Sequence, residues 1–260
     1  MMIIKTKEEI EIIRQGGKIL ADILNKLGAM VRPGVSTGDL EAEAARLIEE
    51  AGGRPSFLGY PSAGKPFPTA LCTSVNDEVV HTPALPSRIL KEGDIIGIDI
   101  GMEYPFNKNE RGYYTDMAAT FPVGQIKLEA QKLIRTTKES LDLAIDQIRP
   151  GNNLNHIARA IETHVKKNGF SVVRDLVGHG VGHEVHEPPQ ITNFVFPGNE
   201  NIVLEPGMVL AIEPMVNLGR HDVAIGRDGI SVVTKDGSLS AHFEHTIAVT
   251  EEGADVLTEL

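Results

Sequence analysis

A single cysteine, Cys72, stands among the 260 residues. No intrachain disulfide can form, which suits a reducing compartment, and a zinc site built on thiolates is excluded. No apolar run approaches the roughly 20 residues that cross a bilayer, so no membrane partner is expected. The opening MMIIKTKEEIEIIRQ lacks the basic-then-apolar plan of a secretory leader, and the expectation is a cytoplasmic protein. Basic residues are outnumbered, 25 Lys and Arg against 36 Asp and Glu. A nucleic-acid partner favours a basic face and is therefore not expected. Most of the acidic excess reads as a solvated surface, with a handful of clustered acids left over as candidate ligands.

What is present is a helix-then-strand order that occurs twice. Ile10, Ile13, Ile19, Leu20, Ile23, Leu24 and Leu27 recur near a 3.6-residue period, which predicts a helix within 7–30, broken by Arg32-Pro33-Gly34. A second helix runs from a cap at Ser36 or Thr37 to Gly52-Gly53. After a Pro/Gly-rich loop at 59–68, the runs LCTSV, EVVH, DIIGIDI and YYTDMAATF read as strands. Helices are then predicted over 126–148 and 153–168, followed by the strand-like runs SVVRDLVG, MVLAIEPM, ISVVT and HTIAVT.

The echo reaches individual residues. Arg-Pro-Gly at 32–34 returns at 149–151, and VVHTP around His81 returns as EVHEP around His186. EGDIIGIDIG, with Asp99, aligns with EPGMVLAIEP, with Glu213, while Asp116 in YYTDMAATF answers Glu244 in AHFEHTIAV. Such internal repetition predicts one α+β domain over 1–260, made of duplicated halves near 1–123 and 124–260 about a pseudo-twofold axis.

One acid at the end of an apolar strand is ordinarily an exposed terminus or a cap. Four in duplicated positions, Asp99, Asp116, Glu213 and Glu244, are harder to dismiss, because a buried carboxylate needs a partner or a cation. Three histidines lie among glycines in GHGVGHEVHEPP. A lone histidine in a strand is more often a satisfied core residue, and His183 is assigned to an exposed turn, with a substrate-facing place as the alternative. Four carboxylates and one imidazole form an oxygen-rich set that favours Mn, Fe(II), Co or Mg over a thiolate-type zinc site. Bridging carboxylates allow five residues to hold two ions about 3.5–4 Å apart. Without metal the acids are expected to share protons, with raised pKa values.

NDEVVHTP, DIIGIDIG, YYTDMAATF, DLVGHGVGHEVHEPP, LEPGMVLAIEP and VVTKDGSLSAHFEHT resemble the signatures of the methionine aminopeptidases, and the likeness covers essentially the whole chain. The resemblance implies a pita-bread fold, with helices packed on a curved, mainly antiparallel sheet. It also implies removal of N-terminal methionine from nascent chains, with the ribosome as the place of encounter and a preference for a small second residue; a monomer is the default expectation. Position by position it makes Asp99, Asp116, His179, Glu213 and Glu244 ligands of two divalent ions (Co, Mn, Fe(II) or Zn). Asp116 and Glu244 would bridge the ions. His81 and His186 would contact substrate and the tetrahedral intermediate, and Glu213 would carry a proton. Only 26 residues separate His186 from Glu213, too few for the helical insertion of type II members, so the chain resembles the short type I.

Three departures bear on specificity. The segment GMEYPFNKNERGYY makes the hairpin around 102–114 longer than is usual in the family, extending it away from the metals and towards the pocket rim. Ile230 stands where many relatives have Trp, and Val185 where an aromatic is frequent. Tyr60, Phe67, Cys72 and Ile230 are the candidate lining of a methionine pocket, with ordinary core packing as the alternative for each. A proline-directed peptidase and a non-catalytic binding protein on the same scaffold are the competing readings.

Overall fold

The computed structural model describes residues 3–62 and 64–260. Helix α1 spans Lys7–Met30 and α2 spans Thr37–Glu50. Both open with reciprocal capping boxes, Thr6 with Glu9 and Ser36 with Asp39, each satisfying two backbone donors that would otherwise lack partners. The cap left open between Ser36 and Thr37 is Ser36, and Thr37 instead turns its hydroxyl to the Ala84 carbonyl at 2.7 Å. Helices α3 (Leu128–Ile145) and α4 (Leu154–Lys167) fall inside their predicted windows.

Two large apolar cores follow the two pairs of helices. Leu20, Leu24 and Leu27 of α1 and Leu40, Ala44 and Ile48 of α2 pack on Ile96, Ile98 and Ile100. Leu133, Leu141 and Ala144 of α3 and Ile157, Ile161 and Val165 of α4 pack on Leu210, Ile212, Ile247 and Val249. Among the described residues strand pairing is antiparallel throughout, in five sheets of which the largest have four and five strands. The central ladder pairs Ile95–Tyr104 with Tyr113–Pro122, ten residues without a bulge, from Ile95 opposite Pro122 to Tyr104 opposite Tyr113.

Two strand runs are interrupted where the sequence predicts continuity. SVVRDLVG splits into Ser171–Val172 and the start of Gly178–Gly180, and MVLAIEPM splits into Val209–Ile212 and Met215–Asn217. Each run changes sheet at its break, one piece joining the three-stranded sheet and the other the five-stranded one. Pro214 fits that role, since it has no N–H to offer a ladder. The same transfer occurs between Ser240–His242 and His245–Val249. Glu213 and Glu244 therefore occupy the crossing points between sheets.

Candidate active site

Asp99 and Asp116 owe their proximity to the central ladder. Asp99 faces Ala118 and Asp116 faces Gly101, so the two acids are diagonal neighbours on one face of the sheet. Their direct partners are the smallest residues, which leaves space beside each carboxylate. The second pair is built by continuing another register. Ile212 pairs with His245, which sets Glu213 and Glu244 opposite each other one step beyond the ladder. His179 pairs with Ala211 on the other edge of that strand, two positions from Glu213 and on the same face.

The two groups meet along a seam. Ala118 and Glu244 exchange backbone bonds of 2.9 and 3.3 Å, and the Asp116 backbone exchanges bonds of 3.0 and 2.7 Å with the Thr246 hydroxyl. Asp116, His179 and Glu244 thereby offer ligand atoms within 4.8 Å of one another. Glu213 Oε1 stands 3.4 Å from His179 Nε2, and Asp99 is the diagonal neighbour of Asp116 on the sheet. His179 Nδ1 donates to the Gly180 carbonyl at 2.9 Å, a tautomer that leaves Nε2 with a lone pair facing the acids.

Electrostatics and hydrogen bonding both mark this cluster as built around cations. Asp99 Oδ1, Asp116 Oδ1 and Glu244 Oε1 are buried and have no hydrogen-bond partner among the described residues. Burial raises the Asp99 carboxyl to about 7, and holds Asp116, Glu213 and Glu244 well above the ordinary carboxylate range, with mutual repulsion adding to it. Burial also lowers His179 to about 4, so the imidazole is neutral near pH 7. A neutral imidazole and four acids, three of them with an unpaired oxygen, suit divalent cations, which would supply the positive charge and the missing partners.

These residues form one end of a cavity of about 470 Å³ whose wall includes Tyr60, Phe67, Cys72, His81 and His186. His186 Nδ1 meets the Tyr60 hydroxyl at 2.8 Å, and its ring centroid is 4.4 Å from that of His179. His81 adopts a positive φ of 59°, strained for a residue with a side chain. Both rings keep surface open to the cavity, yet the surrounding protein lowers their pKa values, with the neighbouring imidazoles adding to the effect at His186.

Not every predicted position reaches the cavity. Ile230 packs against the cluster of Phe57, Phe67, Cys72 and Val185 and is not among the residues that line the cavity. His183 is half-buried rather than exposed, with Nε2 2.7 Å from Glu9 Oε1 on α1, and it is not among the residues that line the cavity. Arg111 of the long hairpin pairs with Glu184, two residues from His186. Phe57, Leu176, Gln190 and Met215 line the cavity and were not foreseen, and none carries a sequence signal that separates it from core or loop.

The model of metallopeptidase family M24 matches residues 11–251. "Methionine aminopeptidase 1" of Bacillus subtilis is 47% identical over the full length of both chains, and the "Methionine aminopeptidase" of Escherichia coli is 40% identical over 98% of this chain and 93% of its own. The crystal structure of the methionine aminopeptidase from Thermotoga maritima superposes with a TM-score of 0.92 at 42% identity, each chain fully covered. A prolidase from Pyrococcus horikoshii, at 21% identity and a TM-score of 0.76, shares the fold over 99% of this chain and 64% of its own. With a family match over nearly its whole length and relatives this similar from end to end, the chain belongs to metallopeptidase family M24, on the methionine aminopeptidase branch with its pita-bread fold.

Proposed function

We propose that the protein hydrolyses the peptide bond after an N-terminal methionine, with Asp99, Asp116, His179, Glu213 and Glu244 holding two divalent cations. The observation that carries this reading is the convergence of all five side chains at one end of a cavity that also presents His81 and His186. The duplicated halves, near 1–123 and 124–260, each contribute two of the acids, as expected for a site at a pseudo-twofold seam. Bound there, the cations would supply charge stabilisation and acidify a water molecule.

The protein's own groups do the rest. Glu213 is the least buried of the four acids, its side chain 12% exposed, and it is placed to take a proton at a carboxylate oxygen and return it to the leaving amine. His81 and His186, neutral near pH 7, can each donate an N–H to the carbonyl oxygen as negative charge develops on it. The Tyr60 hydroxyl orients His186 through Nδ1. Tyr60, Phe67 and Cys72, with Phe57, form an apolar wall suited to a thioether side chain. A small second residue, monomeric action in the cytoplasm and encounter with nascent chains at the ribosome complete the proposal.

Met-Ala-Ser and an Xaa-Pro peptide are the discriminating substrates. Cleavage of Met-Ala-Ser that is lost on chelation and in Asp116→Ala supports the reading. Normal turnover by Asp116→Ala, or a preference for Xaa-Pro, overturns it. Refilling the metal-free enzyme with Mn, Fe(II), Co or Zn in turn identifies the cation that supports turnover.

A further inference from the structure

His242 ends the Ser240–His242 strand two residues before Glu244, and it is 3% exposed. Its backbone is pinned across the seam by one hydroxyl. The His242 N–H donates to Thr120 Oγ1 at 2.9 Å, and the Thr120 hydroxyl donates to the His242 carbonyl at 2.8 Å. The ring is thus directed by two strands at once. Its Nε2 is buried and has no hydrogen-bond partner among the described residues. It stands 3.8 Å from Glu213 Oε2 and 3.9 Å from Glu244 Oε2.

An imidazole carries one N–H even when neutral, and a buried donor without an acceptor costs the desolvation of that group. The two glutamate oxygens are acceptors almost equidistant from Nε2. The opposite oxygens have other roles: Glu213 Oε1 turns towards His179, and Glu244 Oε1 is one of the unpaired atoms of the acidic cluster. Shortening either gap to about 2.9 Å requires a movement of roughly 1 Å, which a small side-chain rotation of either glutamate provides.

We propose that His242 is a positioning residue for the cation site, its Nε2–H donating to the Oε2 atoms of Glu213 and Glu244 so that both Oε1 atoms stay turned to the cations. The proposal rests on the reading of those glutamates as ligands. It assigns to His242 the task that partners of metal-bound carboxylates perform elsewhere, fixing orientation and tuning affinity without touching the ion.

Calorimetric titration of the metal-free protein with Mn²⁺ tests it, using wild type, His242→Leu and His242→Gln. Leu should weaken binding about 10–100-fold. Gln, which keeps an N–H donor at the end of its side chain, should restore most of that loss. Circular dichroism establishes that each variant is folded. Should His242→Leu not fold, the ring nitrogens of wild-type His242 decide by ¹⁵N NMR in the Mg²⁺- or Zn²⁺-loaded protein. A protonated Nε2 supports the proposal; an unprotonated Nε2 overturns it. Unchanged Mn²⁺ affinity in a folded His242→Leu overturns the role of His242 alone, whereas a wild type that binds no divalent cation overturns the reading of the whole site.

Discussion

Lys5 Nζ and Glu187 Oε2 meet at 2.5 Å across 182 positions of sequence, each side chain only 1% exposed. The other Glu187 oxygen accepts the backbone N–H groups of His183 and Glu184 at 2.5 and 2.9 Å, closing the turn that leads into His186. The Lys5 N–H is itself tied to the Gly207 carbonyl at 2.8 Å. The segment before α1 is thereby fastened beneath the loop that carries a wall histidine of the cavity.

Breaking one side of such a pair leaves a charge buried without a partner. Lys5→Met should therefore destabilise the protein by about 3–5 kcal/mol in urea unfolding. Lys5→Met/Glu187→Gln should recover part of the loss, because no uncompensated charge remains. A loss in Lys5→Met within the ~1 kcal/mol of surface pairs would show that the ion pair is solvated.

Gly17 puts helix propensity against packing. An Ala there would gain up to about 1 kcal/mol as the better helix former. Its Cβ, however, would lie 2.2 Å from the Leu257 carbonyl oxygen, a backbone atom that cannot rotate away. Overpacking of this kind costs roughly 1–3 kcal/mol, so Gly17→Ala should lower the melting temperature. An increase would mean that α1 is free to move off the C-terminal strand.

The acidic cluster makes the stability of the metal-free protein depend on pH in a defined direction. Asp99 is raised from its ordinary 3.8 to about 7, so its charged form is disfavoured by folding. The penalty is absent below about 4 and complete above about 7; as pH rises through that window, metal-free stability should fall. Cations remove the penalty, so the gap in melting temperature between metal-bound and metal-free protein should widen from pH 5 to pH 7.5. An equal gap at both values would contradict the burial of these acids as a charged group.

Cys72 should be nearly inert to alkylation in the folded state. It is buried, and burial together with the charges of Asp99 and Asp116 raises its thiol well above the ordinary range, leaving little thiolate at pH 8. Iodoacetamide labelling followed by mass spectrometry should show a rate at least about tenfold below that in urea. Comparable rates would place the thiol in open solvent.

How far the sequence could be read depended on how local each determinant was. The ends of α1 and α2 are written within four residues by Thr6 with Glu9 and Ser36 with Asp39. The acids were legible because each interrupts or ends an apolar strand run, a conflict visible within ten residues. The breaks in SVVRDLVG and MVLAIEPM were not, because membership of one sheet or another is decided by partners far along the chain. His183 was misplaced for the same reason: its partner, Glu9, lies on a helix 174 positions away. His242 lies inside the quoted run AHFEHT, yet nothing local separates an imidazole that faces two glutamates from an ordinary core histidine.

The crossings between sheets also impose a timetable on the nascent chain. Asp99 and Asp116 belong to a hairpin whose contacts are short in sequence, so that pair can be set early. Glu213 and Glu244 face each other only through the pairing of Val209–Ile212 with His245–Val249, and the seam to Ala118 needs Glu244 as its partner. Throughout translation the half-made enzyme holds two acids and lacks their counterparts. Activity would switch on in a single late step, when residues beyond 244 have left the exit tunnel and the two halves dock.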